Sequence, residues 1–313
     1  MAVLLFMVLI ERRLPYYWGN ATVTDKLKYC KDQDLQPETV FFGNSKIYRH
    51  LIPSVFDSLT VFNGQSYNMA SDATTIFETY HLVAGYLEEN SPSRVFVHYS
   101  GYPGLVMHQE LSLQYRYHWS LPTIHAAIGL INDKRDQLLK HLHVITGRYF
   151  KFGEGKSILF NLSSDNTDFV DNGGYTSLDT SYPERVGQLH KRFPKFIHSL
   201  IKAKKKSFKR TLSKEGNMTL NSDEEILHNH FNRYNVLSEK HKVEIYIIFF
   251  PNQPMYYKTN FRNSIYMGDG KDFPTYFDDK YYFDKGHFNH KGAKMFTTRL
   301  AEVINKNNSP SNK

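Results

Sequence analysis

The sequence predicts an α/β fold, a three-layer α/β/α arrangement around a mostly parallel sheet, with an insertion. Three observations carry this expectation. Short β-rich runs alternate along the chain with longer segments of helical period, the pattern of strand–helix–strand units. The run Val243–Phe250 (VEIYIIFF) is almost continuously apolar, as a strand buried on both faces requires. The run Glu38–Gly43 ends on glycine and meets Asn44-Ser45-Lys46 at once, so a buried strand feeds a tight turn.

Taken in order, Ala2–Ile10 (AVLLFMVLI) is nine apolar residues running into Glu11-Arg12-Arg13. It reads as a buried first element or as the C-terminal half of a membrane anchor. A spanning helix needs about 20 apolar residues and a signal peptide a basic segment in front. The lack of any amphipathic period favours the anchor. Residues 14–36 read as an arm or first helix. After the strand at 38–43, Ser58–Phe62 and Ser66–Met69 both qualify as the second strand. Ala73–Glu89 places Ile76, Phe77, Tyr80, Val83, Ala84 and Leu87 on one helical stripe, with Ser71 or Asp72 as N-cap. Arg94–Tyr99 is a third strand, broken by Ser100-Gly-Tyr-Pro-Gly104.

Residues 105–180 carry no clear period apart from a turn at Asn172-Gly173-Gly174, and are assigned to an insertion over the sheet's edge. Helices are expected at about 183–206 and 222–241. A long Tyr/Asn/Asp-rich loop should occupy 252–280, and Gly292–Asn305 should form a closing amphipathic helix. The domain plan is thus an apolar segment at 1–13, one domain over 14–306 and a polar tail at 307–313.

Composition narrows the function classes. Of 313 residues, 41% are hydrophobic and 22% charged, which suits a globular domain. The 22 Tyr and 23 Phe against 2 Trp fit either a sticky cleft or the codon bias of a low-GC genome. The net charge of +8 could suit an acidic partner. Much of the excess, however, lies in the single run Lys202–Arg210 (KAKKKSFKR), with no helix-turn-helix, RNP or zinc-finger pattern beside it. Nucleic acid is therefore not expected as a partner. Cys30 is the only cysteine, so no disulfide framework and no thiolate metal site can form. His98, His290 and the pair His228/His230 read as core or surface residues rather than metal ligands, and His228-x-His230 lacks a carboxylate at ligand spacing. Neither a metal nor a cofactor is expected. Lys46 and Arg49 could meet an anionic acceptor, but solvated helix cations are the default.

Two segments could carry chemistry. In Val40-Phe-Phe-Gly43-Asn-Ser45, the glycine lets the backbone turn sharply. A serine placed there exposes its hydroxyl and aims its amide into the same space. In Asp284-Lys-Gly-His287, the spacing lets a carboxylate meet an imidazole on one turn. That contact fixes the tautomer and supports the imidazolium formed when a serine gives up its proton.

Gly43-Asn44-Ser45 resembles the first block of the SGNH/GDSL hydrolases, with Asn in place of the usual Asp. Asp284-x-x-His287-x-Asn289 followed by Gly292-Ala293 resembles their last block, and Asn68-Met-Ala-Ser-Asp-Ala73-x-Thr75 their second. The extended first block, through Arg49, Ile52-Pro53 and Phe56-Asp57, is similar to a bacterial DltD-like subgroup. Its members often carry an N-terminal membrane anchor and accompany cell-surface polymer acylation. The likeness spans about residues 38–99 and 220–305 and implies an SGNH/flavodoxin-like sheet. It further implies Ser45 as nucleophile, His287 as base and Asp284 as its orienter. The amides of Ser45 and Ala73 would form the oxyanion hole. The third block departs from the family: the usual Gly-x-Asn is missing after the third strand, and Ser100 is the candidate replacement.

The resemblance implies a serine esterase or O-acyltransferase acting on a bacterial surface or exported polysaccharide, most simply moving acetyl groups. Its location would be extracytoplasmic, with membrane association through the N-terminus and a membrane acyltransferase as partner. The alternative is a weak or inactive SGNH-fold protein that binds glycan or partners such an acyltransferase.

Overall fold

The computed structural model describes residues 16–17, 20–72, 74–99, 172–186, 222–250, 263–267, 278–284 and 286–307. Among these residues, five strands form one all-parallel sheet in the order β2-β1-β3-β4-β5. They are β1 (Thr39–Phe42), β2 (Ser66–Asn68), β3 (Arg94–His98), β4 (Glu244–Phe249) and β5 (Ser264–Tyr266). The α-helices among these residues are α1 (Ala21–Asp32), α2 (Ser45–His50), α3 (Pro53–Leu59), α4 (Ile76–Glu89), α5 (Leu178–Ser181), α6 (Ser222–His241) and α7 (His290–Asn307). The expected α/β architecture is what the chain adopts.

Period-two alternation sorts the strand side chains into two cores. Val40, Phe42, Val95, Val97, Ile245 and Ile247 face one side, against Val23 of α1, Leu82, Val83 and Tyr86 of α4, and Phe231 and Tyr234 of α6. Phe41, Phe96, Ile248 and Ile265 face the other, against Ile47 and Leu51 beside α2, Phe56 of α3, and Phe296, Leu300 and Ile304 of α7. The central strands β1, β3 and β4 are largely apolar on both faces because both are covered, and β1 is buried at all four positions.

The structure corrects several element assignments. The second strand is Ser66–Asn68, while Ser58 and Leu59 end α3. Helix α4 starts at Ile76 because Thr75, not Ser71 or Asp72, is the N-cap. Its side chain accepts from the Glu78 amide, and the Glu78 carboxyl accepts in turn from the Thr75 backbone N–H, a capping box. The loop expected at 252–280 contains β5, a three-residue edge strand with only Ile265 buried among its three positions. Pro183–Arg185 is a single 3-10 turn. The remainder of the helix expected to 206 lies outside the described residues, as do residues 1–15, 100–171, the Lys202–Arg210 run and the tail from 308. The turn at 172–174 is present, and its Gly173 carbonyl accepts the Asn68 amide at 2.8 Å beside the edge strand β2.

Candidate active site

The site lies at the carboxyl end of β1, where an open parallel sheet presents its reactive loops. Gly43 has φ +154, and a Cβ there would stand 2.7 Å from the His98 Cβ and 3.0 Å from Ile47. Only glycine lets β1 turn this close to the end of β3. Asn44 then caps α2, its side chain accepting the Lys46 amide at 3.0 Å, and Ser45 is the first helical residue. Its N–H is among those that a helix start leaves without an intrahelical acceptor.

The other half is the turn before α7. An isolated antiparallel bridge joins Tyr282 to Phe288, and the His287 carbonyl accepts the Phe283 amide at 2.9 Å. Asp284 Oδ1 accepts the amides of Gly286 at 2.6 Å and His287 at 2.8 Å. Asn289 begins α7: its side chain accepts the Gly292 amide at 2.9 Å and its carbonyl the Ala293 amide at 2.8 Å. A Cβ at Gly292 would stand 2.2 Å from the Tyr281 carbonyl oxygen, which reserves the position for glycine.

These two local structures bring the three residues together across 242 positions of sequence. His287 Nε2 lies 2.8 Å from Ser45 Oγ, and His287 Nδ1 lies 3.0 and 2.9 Å from the two Asp284 oxygens. Because a carboxylate only accepts, Nδ1 carries the proton and Nε2 is left to accept from the serine hydroxyl. Burial alone would raise the Asp284 carboxyl. The hydrogen bond and charge of His287 and the amides of Gly286 and His287 outweigh it and hold the group below its ordinary range. Asp284 is thus an anion at neutral pH. The arrangement can take a proton from Ser45 and hold it on an imidazolium beside that anion.

The two other residues proposed for the oxyanion hole, Ala73 and Ser100, lie outside the described residues. What the structure describes is the loop that leads to Ala73. The fully buried Lys26 donates from Nζ to the carbonyls of Asn68 at 2.7 Å and Ala70 at 2.6 Å. Asn68 donates from its side chain to the Ile47 and Leu51 carbonyls, both at 3.0 Å, and accepts the Ala70 amide at 3.1 Å. The Ser71 amide bonds the Gly43 carbonyl at 3.2 Å.

Arg49 is not a solvated cation. Its side chain is 9% exposed and pairs with Asp72 at 2.6 Å. It also donates to the Thr176 carbonyl at 3.4 Å and Ser181 Oγ at 3.1 Å. Behind the loop, Asn20 donates to Ser71 Oγ at 2.8 Å and to the buried Glu78 carboxyl at 3.1 Å.

Sequence reasoning gave no role to Lys26, Glu78 or Thr176, and it offered Asp72 only as a helix cap and Asn68 only as part of the second block. The partners of Lys26, Asp72 and Thr176 lie too far along the chain to be read from spacing, whereas Thr75 three residues before Glu78 is a capping-box spacing. His98 and His230 are buried and His290 is exposed, its Nδ1 3.2 Å from Tyr175 Oη. Burial drives the His98 imidazole well below its ordinary value, with the Lys46 charge adding to the effect. Among the described residues no group of three or more His, Cys, Asp or Glu could hold a metal ion, and no helix is long and apolar enough to cross a membrane.

No protein-family model matches the chain, and neither a curated protein nor a solved structure matches it.

Proposed function

We propose that the protein is a serine esterase or O-acyltransferase that works through a Ser45 acyl-enzyme. The observation that carries this reading is the continuous chain of contacts from Ser45 Oγ through the His287 imidazole to Asp284, with spacings of 2.8 and 2.9 Å. Ser45 Oγ attacks the ester carbonyl while His287 Nε2 takes its proton. His287 then returns that proton to the leaving alkoxide as the tetrahedral adduct collapses. Water or a sugar hydroxyl next gives its proton to His287 and attacks the acyl-enzyme, and Ser45 is restored. Hydrolysis and transfer differ only in which acceptor arrives. The Ser45 amide at the start of α2 can face the developing oxyanion. The amide of Ala73, with Ser100 in place of the family's missing asparagine, completes the proposed hole.

The polysaccharide acceptor, the acetyl group, the extracytoplasmic setting and the membrane acyltransferase partner come from the SGNH/DltD-like resemblance and the apolar N-terminal segment. The missing third-block asparagine favours a second reading, an inactive glycan-binding or partner protein. One oxyanion donor is worth about 10²–10³ in rate in enzymes that depend on it.

The test is p-nitrophenyl acetate hydrolysis by the full chain beside Ser45→Ala and His287→Ala. Turnover in the wild type that falls to background in both variants is the expected result. Turnover that survives either substitution rejects the serine mechanism.

A further inference from the structure

We propose that His50 is a positioning residue for this acyl transfer. Through an unprotonated Nε2 it fixes the main chain at Phe288, and with it the His287 imidazole against Ser45. The inference rests on the serine reading above.

Helix α2 begins on Ser45 and ends on His50, so one six-residue helix carries both. The Phe288 amide donates to His50 Nε2 at 2.9 Å, and Phe288 is the residue that follows His287. Both partners are buried, His50 at 2% exposure and Phe288 at 4%. A main-chain N–H buried in such a place is destabilised when it loses its acceptor. An imidazole nitrogen can accept only if it bears no proton, so His50 must carry its ring proton on Nδ1.

The surroundings hold the ring in that pose. The His50 and Phe288 rings pack at 4.5 Å between centroids with their planes tilted by 36°, and Phe250 stands at 5.7 Å and Phe296 at 6.4 Å. Thr297 Oγ1 of α7 donates to the His50 carbonyl at 3.2 Å. The His287 ring stands 5.9 Å away, edge-on. Asp284 decides which nitrogen of His287 faces the serine. His50 ties the turn that carries His287 to the helix that carries Ser45. The 2.8 Å contact between Ser45 and His287 is then set within one braced unit rather than between two independent loops.

Three proteins test this with p-nitrophenyl acetate: the wild-type chain, H50Q, whose amide oxygen can accept near the Nε2 position, and H50F, which keeps a ring but offers no acceptor. H50F should lose about 10- to 100-fold in kcat, the scale of a misplacement of about 1 Å, with KM unchanged. H50Q should restore most of that loss. Imidazole ¹⁵N NMR of the wild type gives a reading that needs no variant to fold: it should show His50 unprotonated at Nε2 and protonated at Nδ1. An Nε2-protonated His50, or H50F turning over like the wild type, or H50Q falling as far as H50F, overturns the positioning role. Wild-type turnover that survives Ser45→Ala overturns the serine reading itself, and this role with it.

Discussion

The two halves of the candidate site are built in opposite ways. The turn from Tyr282 to Asn289 is held mainly by its own neighbours: Asp284 accepts from residues two and three positions on, and Asn289 caps the helix that follows. The loop from Asn68 to Asp72 is held from far along the chain. Lys26 reaches it across 42 and 44 positions, Arg49 across 23, and Asn20 across 51. A turn wired mostly within itself depends on few residues beyond its own, here chiefly His50, which accepts the Phe288 amide. A remotely wired loop depends on the whole fold, so damage to it should show as lost stability rather than as lost chemistry alone.

The largest effect should separate these two behaviours most sharply. Asp284→Asn keeps the size of the side chain but removes the anion that selects the His287 tautomer. It should cost about 10⁴-fold in kcat toward an aryl acetate while the urea midpoint moves little. A comparable loss of stability would mean that the turn is not self-supporting.

Asn68→Ala should do the reverse. It removes the side chain that serves the buried Ile47 and Leu51 carbonyls and the Ala70 amide. It should lower unfolding stability by about 3 kcal/mol in urea titration, since each buried orphan costs about 1–3 kcal/mol.

The pH response should also differ in sign. Burial raises the Glu78 carboxyl from its ordinary 4.5 to about 7, against the opposing bonds from Asn20 and Thr75. The unfolded chain therefore releases this proton before the folded one does. The contribution of Glu78 to stability should decline as pH rises from about 4.5 to about 7, by roughly 3 kcal/mol. Glu78→Gln should flatten that decline in urea midpoints measured from pH 5 to 8. Asp284, held below its ordinary range, contributes stability that is present above that range and lost as pH falls through it.

The smallest effect belongs to the local turn. Asn289→Ala should cost about 1 kcal/mol, the worth of one helix cap, read as a shift in the thermal midpoint.

This contrast also explains what could be read from the sequence. The strands at 39–42, 94–98 and 244–249 were legible because both faces of the sheet are covered and the runs are largely apolar. Asp284 and His287 were legible because their contact is made at a spacing of three residues. The second strand had two candidates, since Ser66–Asn68 is too short to show a period. The strand at Ser264–Tyr266 was missed for the same reason. Arg49 read as a solvated cation because its partner Asp72 lies on another loop, brought in by the crossover through β2. Lys26 and His50 were beyond reach: nothing in their neighbours in sequence distinguishes a buried polar clamp from a surface residue. The apolar N-terminal segment and the oxyanion candidates Ala73 and Ser100 fall outside the described residues.

The central claim is that Ser45 is a nucleophile activated by His287. The most direct measurement is mass spectrometry of the intact chain after reaction with a fluorophosphonate, which phosphonylates an activated serine and expels fluoride. The account predicts one adduct, mapped by digestion to Ser45, absent in Ser45→Ala and strongly slowed in His287→Ala. A wild-type chain that stays unmodified, or an adduct on another residue that forms at the same rate in His287→Ala, would contradict it.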